Sequence, residues 1–480
     1  MQRANGGASG RDVGGFVQAG SPSQNPNPTR TAAKPHMPTS LKEITGSLVA
    51  PQGFRASGVF CDIKRIGTGK GSNKGNKRDL ALIVSSAPAA VAGMFTTNQI
   101  CAAPVKVSAA RVRGGTAQAI VVNSGNANAC TGRQGLRDAE AMARLAAREL
   151  RLDATHVLVG STGRIGVPMP MGNVRQGIAL AASALGGTTA HADQAAEAIL
   201  TSDTRPKQAA VEFKVSGRRV RLGGICKGAG MIQPGMSATG ARPAALPRGL
   251  HATMLCFLTT DAAIGSPLLQ TALQESVAKS FNRITVDGDM STNDTVLVLA
   301  NGMAGHPSLR TARSRDFAAF QSALDHVCLS LARQIVRDGE GVHRVVTVRV
   351  SGAASLADAD AAARAVANSS LVKTSWHGGD PNWGRIIDAL GYSPARVVED
   401  KVDIGYSTPD GRKVLWSLKR GQPTTASFRS LCAAVAPCEF ELHIRLNLGR
   451  AAAVIYAADL TEAYVDFNKG DVTDPASLGG

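Results

Sequence analysis

A threonine hydroxyl near its free pKa is a weak nucleophile, but a threonine that becomes the first residue of a chain carries its own base. The α-amine released by cleavage can take the hydroxyl proton. Thr253 is placed for that chemistry. It lies in Ala252-Thr253-Met254-Leu255, follows the glycine-rich segment Lys227-Gly228-Ala229-Gly230-Met231-Ile232-Gln233-Pro234, and opens the apolar run Met254-Leu255-Cys256-Phe257-Leu258. One break between Ala252 and Thr253 would supply nucleophile and base together. Threonine also favours strands, so on the residues alone the plain start of a buried strand competes with this reading.

Acyl transfer needs backbone or side-chain donors aimed at the oxyanion of the tetrahedral intermediate. Ser161-Thr162-Gly163-Arg164 supplies small residues in what reads as a turn directly after a short apolar strand. Thr162 and Gly163 are the candidates, against an ordinary strand-to-helix turn. Lys227, flanked by Gly228 and Gly230, offers a cation where glycines permit close backbone approach. A solvated lysine is the competing reading.

These segments resemble the ornithine acetyltransferase / N-acetylglutamate synthase family of arginine biosynthesis, through Lys-Gly-Ala-Gly-Met-Ile-x-Pro, Ala-Thr-Met-Leu and Thr-Thr-Asp-Ala. Further blocks stand in family order. They are Val122-Asn123-Ser124-Gly125-Asn126-Ala127-Asn128, Ser161-Thr162-Gly163-Arg164-Ile165-Gly166, Ser280-Phe281-Asn282-Arg283-Ile284-Thr285, Ser291-Thr292-Asn293-Asp294-Thr295 and Asp380-Pro381-Asn382-Trp383-Gly384-Arg385. The resemblance spans residues 45 to 473.

The resemblance implies self-cleavage between Ala252 and Thr253, with residues 43–252 as an alpha chain, 253–480 as a beta chain, and 1–42 as an N-terminal extension. It implies Thr253 as catalytic nucleophile, Thr162 and Gly163 as oxyanion hole, and substrate binding by Thr201, Lys227, Thr253, Glu340, Asn468 and Thr473. The implied reaction moves acetyl from N-acetylornithine to glutamate through an acetyl-threonine, with no metal or organic cofactor and with acetyl-CoA open as a second donor. The implied assembly is a heterotetramer of the two fragments. A related N-terminal-nucleophile amidohydrolase or aminopeptidase is the alternative, and an unprocessed assembly protein is a third. Two departures stand out. Fifteen residues, Ser237 to His251, separate Met236 from Ala252, where the family joins Met directly to Ala-Thr-Met-Leu. At the C-terminus, Asn468-Lys469-Gly470-Asp471-Val472-Thr473 keeps the asparagine and threonine with altered residues between.

Composition narrows the classes. With 480 residues and 44% hydrophobic content, two to four domain-sized units with large cores are expected. The longest apolar runs, such as Ala451 to Ala458, fall short of the ~20 residues of a spanning helix. Eight cysteines without a Cys-x-x-Cys pair indicate neither zinc cage nor disulfide framework. The net charge of +17 concentrates toward the N-terminus, notably in Lys70 to Arg78, and aromatics are only 4%. Base stacking is therefore poorly supplied, and nucleic-acid binding is not expected. Residues 1–42 lack hydrophobic periodicity and an apolar signal core. A cytoplasmic protein is expected, or an organellar matrix protein if that extension is a transit peptide.

The positioning elements read as α/β (α+β) material, and the resemblance implies layered sheets flanked by helices. Expected strands are 119–123, 156–160, 254–259, 295–300 and 345–350. Expected helices are 136–150, 190–200, 268–280 and 315–336. Glu439 to Leu446 and Ala451 to Ala457, joined at Asn447-Leu448-Gly449-Arg450, read as a hairpin.

Overall fold

The computed structural model describes residues 41–64, 77–241, 254–409, 411 and 413–469. Among these the strands form two mixed sheets, of nine and seven strands, with helices packed on their faces. This is the expected layered α/β arrangement.

The first sheet carries the site. Its central strand, Leu255–Thr260, is buried at every position, as a run of apolar residues with no polar alternation requires of a strand covered on both faces. It lies between Arg218–Lys227, antiparallel, and Thr295–Ala300, parallel. Beyond these stand Lys207–Val215 on one side and Leu80–Phe95, Thr116–Asn126 and Val157–Arg164 on the other. The sixteen-residue strand Leu80–Phe95 changes partners midway. Its first half pairs with Phe54–Val59 and its second half with Thr295–Ala300, while Thr116–Asn126 pairs with it at Leu80 to Val84 and again at Ala89 and Ala90. The register shift between Val84 and Ala89 coincides with Ser85-Ser86-Ala87-Pro88, since a proline cannot donate to a ladder.

Helices Ser266–Lys279 and Arg315–Arg337 cover one face through Leu269, Leu273, Phe320, Leu324 and Leu331. On the opposite side, Gly132–Leu150 and Met171–Ser183 bury alanine-rich stripes against Leu82, Val121 and Val159.

The expected elements are all present, with shifted ends. The hairpin is not. Glu439–Arg445 and Ala451–Ala458 both pair with Val345–Ala353, which lies between them, parallel to the first and antiparallel to the second. The connecting residues wrap around the end of that strand. Leu446 N–H donates to Ser351 O (2.9 Å), and Leu448 and Gly449 N–H both donate to Gly352 O (2.7 and 2.9 Å). Five linking residues, 446–450, suffice to cross two strand spacings of about 4.8 Å.

Candidate active site

Thr253, Ala252 and Thr473 lie outside the described residues. The structure fixes the strand that begins immediately after Thr253 and the groups around its start. Met254 is fully buried, and its N–H donates to Asp294 Oδ1 at 2.6 Å, while Thr295 N–H donates to Met254 O at 3.1 Å. Asp294 is fully buried with Oδ2 unpartnered. Burial pushes its carboxyl well above the usual carboxylate range, against the opposing Met254 N–H and Lys227. Asp294 stood in a quoted motif but was not singled out. An acidic residue directly before an apolar strand is the only signal the sequence offers for it.

Lys227 ends the strand paired with Leu255–Thr260, directly opposite Leu255. It is 2% exposed, with Nζ 3.8 Å from Asp203 Oδ2. Asp203 also accepts from Lys207 Nζ (2.6 Å), Gly228 N–H (2.7 Å) and Thr201 N–H (3.0 Å). Lys207 in turn reaches Asp338 at 2.5 Å. Burial disfavours ionisation of Asp203, but Lys227 and Lys207 outweigh it and hold the carboxyl below its ordinary range. Burial lowers the pKa of Lys227, with Asp203 and Glu340 resisting. Of the two buried lysines, Lys227 is the less fully compensated, and a substrate carboxylate would complete its field. Thr201, Asp203 and Thr204 line a pocket of about 410 Å³ with Lys64, Arg78 and Glu197. That size suits a small molecule.

Thr162 and Gly163 are not in a turn after the strand: Val157–Arg164 runs through them. The ladder to Thr116–Asn126 continues to Ser124↔Thr162 and Gly125↔Gly163, then becomes irregular at Asn126. The pairing does not stop there: Asn126 is laddered to Thr162 and Arg164, and Ala127 N–H donates to Arg164 O (2.9 Å), so the expected turn is replaced by an irregular but bonded strand end. Gly163 has φ +130°, and a Cβ there would lie 2.6 Å from Asn126 N, so only glycine fits. Thr162 is buried and its Oγ1 has no hydrogen-bond partner.

Asparagines hold this strand end in place. Asn123 accepts from Ser161 Oγ (2.6 Å) and donates to Asn126 O (2.9 Å). Asn126 donates to Val167 O and Pro168 O. Asn293, fully enclosed, donates to both Ser161 O (2.8 Å) and Ala127 O (2.7 Å). Because Asn293 precedes Asp294, this bond ties the residue before Thr162 to the carboxyl that holds Met254.

Glu340 and Asn468 come together on the far side of Lys227. Glu340 N–H donates to Ala229 O (2.8 Å), and Asn468 Nδ2 donates to Glu340 Oε2 (3.1 Å). A Cβ at Gly230 would lie 2.6 Å from Glu340 Oε1, so this glycine admits the carboxylate. The structure therefore gathers Lys227, Glu340 and Asn468 about one glycine-rich segment, joins Thr201 to Lys227 through Asp203, and joins Thr162 and Gly163 to the start of strand Leu255–Thr260 through Asn293 and Asp294.

A buried cation, a strand end with glycine at positive φ and a carboxylate held by an amide are groups that an acyl-transfer site can use. The comparisons give the particular family. The family model described as the ArgJ family matches residues 56–471, and the chain belongs to that family. The arginine biosynthesis bifunctional protein ArgJ of Symbiobacterium thermophilum is 45% identical over 431 residues, covering 89% of this chain and 99% of the relative. That of Geobacter sulfurreducens is 45% identical over 417 residues, covering 87% and 98%. Among solved structures, ornithine acetyltransferase of Mycobacterium tuberculosis complexed with ornithine is 36% identical, covering 41% of this chain and 100% of that one, with TM-score 0.37.

Proposed function

We propose that the chain is an acetyltransferase of arginine biosynthesis that cleaves itself before Thr253 and carries acetyl from N-acetylornithine to glutamate. Membership of the ArgJ family supports the activity. One observation supports the site: the hydrogen-bonded path from Ser161 through Asn293 and Asp294 to Met254, which ties the residues flanking Thr162 and Thr253 into one rigid unit. The Thr253 α-amine takes the hydroxyl proton as Oγ1 attacks the acetyl carbonyl. The developing oxyanion is met by the Gly163 N–H and the donors of Thr162. Collapse breaks the C–N bond, the proton passes from the α-amine to the leaving nitrogen, and ornithine departs. The amine of glutamate then attacks the acetyl-threonine ester, and the hydroxyl is restored.

Lys227 faces the substrate carboxylate, while Glu340 with Asn468 holds an amino group. Thr201 orders Asp203, the carboxylate beside Lys227, and Thr473 is retained as a substrate-binding residue from the family resemblance. None of these steps calls on a metal or organic cofactor, and acetyl-CoA serves as a second donor if the chain is bifunctional. The reading takes 43–252 and 253–480 as two fragments that remain associated as a heterotetramer in the cytoplasm. No helix among the described residues is long and apolar enough to cross a membrane.

The test is a denaturing gel with N-terminal sequencing, coupled to transfer of labelled acetyl. Two fragments are expected, one of them beginning at Thr253, with acetyl appearing on glutamate and parallel double-reciprocal lines. Thr253→Ala should remain whole and inactive. Free acetate released equally with and without glutamate would replace this reading with a hydrolase.

A further inference from the structure

Beside the segments that carry Glu340 and Asn468, four elements converge on a cluster that the reaction leaves unused. His343 stands two residues before strand Val345–Ala353 and Asp459 immediately follows its antiparallel neighbour Ala451–Ala458, so the ladder pairing of Val345 with Ala458, extended by Asp459 N–H to Arg344 O, brings them together. His377 lies in the last turn of helix Ser370–Gly378, and Glu462 opens helix Glu462–Phe467. Potential ligand atoms of His343, His377 and Asp459 all lie within 4.8 Å of one another.

The detail of the contacts points to an ion. Asp459 has a fully buried side chain. Its Oδ1 accepts from the His343 backbone N–H at 3.0 Å, while Oδ2 has no hydrogen-bond partner. His377 Nδ1 likewise has none, and the two atoms face each other at 3.4 Å. On the other side of the ring, His377 Nε2 lies 2.9 Å from Glu462 Oε2. An Nε2–H donated to that carboxylate leaves a lone pair on Nδ1, directed at the oxygen lone pairs of Asp459. A buried carboxylate oxygen needs a donating or positive partner, and either a proton carried by His377 between the two carboxylates or an ion between Nδ1 and Oδ2 meets that need at this separation. Two ligands of a tetrahedral ion at ~2.0–2.1 Å stand about 3.3 Å apart, close to the observed separation. A carboxylate on the outer nitrogen of a ligating histidine is also the usual support of such a site. The His343 ring stands edge-on to that of His377, with centroids 5.7 Å apart, on the exposed side.

We propose that His343 and His377, with Asp459 Oδ2, bind one divalent transition-metal ion of the zinc class, with solvent in the fourth position. Two cations flank the cluster. Arg344 donates to Trp376 O and His377 O, and Lys373 donates to Ala458 O. Their charge opposes any divalent ion, so the two imidazole donors set the preference, and imidazole suits ions of the zinc class rather than Mg²⁺ or Ca²⁺.

The experiment is titration of Co²⁺ into the chelator-treated full chain, followed by visible absorption. The expected result is a tetrahedral ligand-field band that saturates at one Co²⁺ per chain, is displaced by Zn²⁺, and is unmoved by Mg²⁺. A rise in Tm with Zn²⁺ should accompany it. His343→Ala removes an exposed ring and should abolish the band while leaving the unliganded Tm unchanged; His377→Gln should abolish it independently. No band with Co²⁺ in excess, a band that survives His343→Ala, or one dominated by thiolate charge transfer from the exposed Cys130 or Cys438 would overturn the assignment. Because the readout is spectroscopic, its failure would leave the acetyl-transfer reading untouched.

Discussion

Asn293→Ala tests whether the path linking Thr162 to the nucleophile strand governs rate. The side chain is 1% exposed and donates to two main-chain oxygens, Ser161 O at 2.8 Å and Ala127 O at 2.7 Å. Each buried carbonyl left without a donor costs ~1–3 kcal/mol. The change should thus destabilise by about 2–6 kcal/mol, toward the lower end if water enters the space left by the amide. The catalytic consequence is separate. Ser161 is followed by Thr162 and Gly163, and a displacement of about 1 Å in a catalytic group can cost ~10²-fold in rate. We expect kcat for acetyl transfer to fall by about 10- to 100-fold, with KM for N-acetylornithine within about twofold, because a displaced oxyanion donor acts mainly in the transition state. Asn293→Asp keeps the shape but points oxygens at both carbonyls, and should be worse in both respects. Steady-state kinetics below the melting transition, with Tm measured in parallel, separate the two effects. A lowered Tm with unchanged kcat would reduce Asn293 to a structural brace. An effect wholly in KM would place Ser161 to Gly163 in substrate binding instead.

Two further changes probe neighbouring parts of the site. Gly230→Ala would bring a methyl to 2.6 Å from Glu340 Oε1 and should raise KM for the amino-acid substrates several-fold with little change in kcat; an unchanged KM would remove Glu340 from substrate binding. Asp294→Asn should gain stability relative to the parent as pH rises. The folded-state pKa of Asp294 is raised by burial, so above the unfolded value of ~3.9 the unfolded chain binds fewer protons than the folded one, and stability falls with pH until the folded carboxyl ionises. Asparagine removes that slope while its Oδ1 still accepts from Met254, and denaturant midpoints at several pH values between about 4 and 7 would show it. A difference independent of pH would mean Asp294 is already ionised in the folded chain.

What the sequence makes legible here is what is local. Thr253 stands out because Met254 to Leu258 is an unbroken apolar run, and such a run becomes a strand covered on both faces wherever it is placed. Gly163 and Gly230 are readable as glycines, but why each must be glycine appears only when Asn126 and the Glu340 carboxylate are set against them. The false hairpin has the same origin. Two apolar runs with Asn447-Leu448-Gly449-Arg450 between them satisfy every short-range rule, and only the placement of Val345–Ala353, about a hundred residues upstream, separates them. Asn293 escaped because its two acceptors lie 132 and 166 positions away, and an asparagine in a polar segment carries no mark of whom it will brace. His343, His377 and Asp459 are more extreme still: no spacing along the chain relates them, and it is the antiparallel register of Val345 with Ala458 that delivers a histidine and an aspartate to the same strand end. Long-range pairing therefore decides which polar residues acquire chemistry. A contiguous segment such as Met254 to Leu258 can be singled out from its residues, whereas the groups that brace it become visible only in the fold.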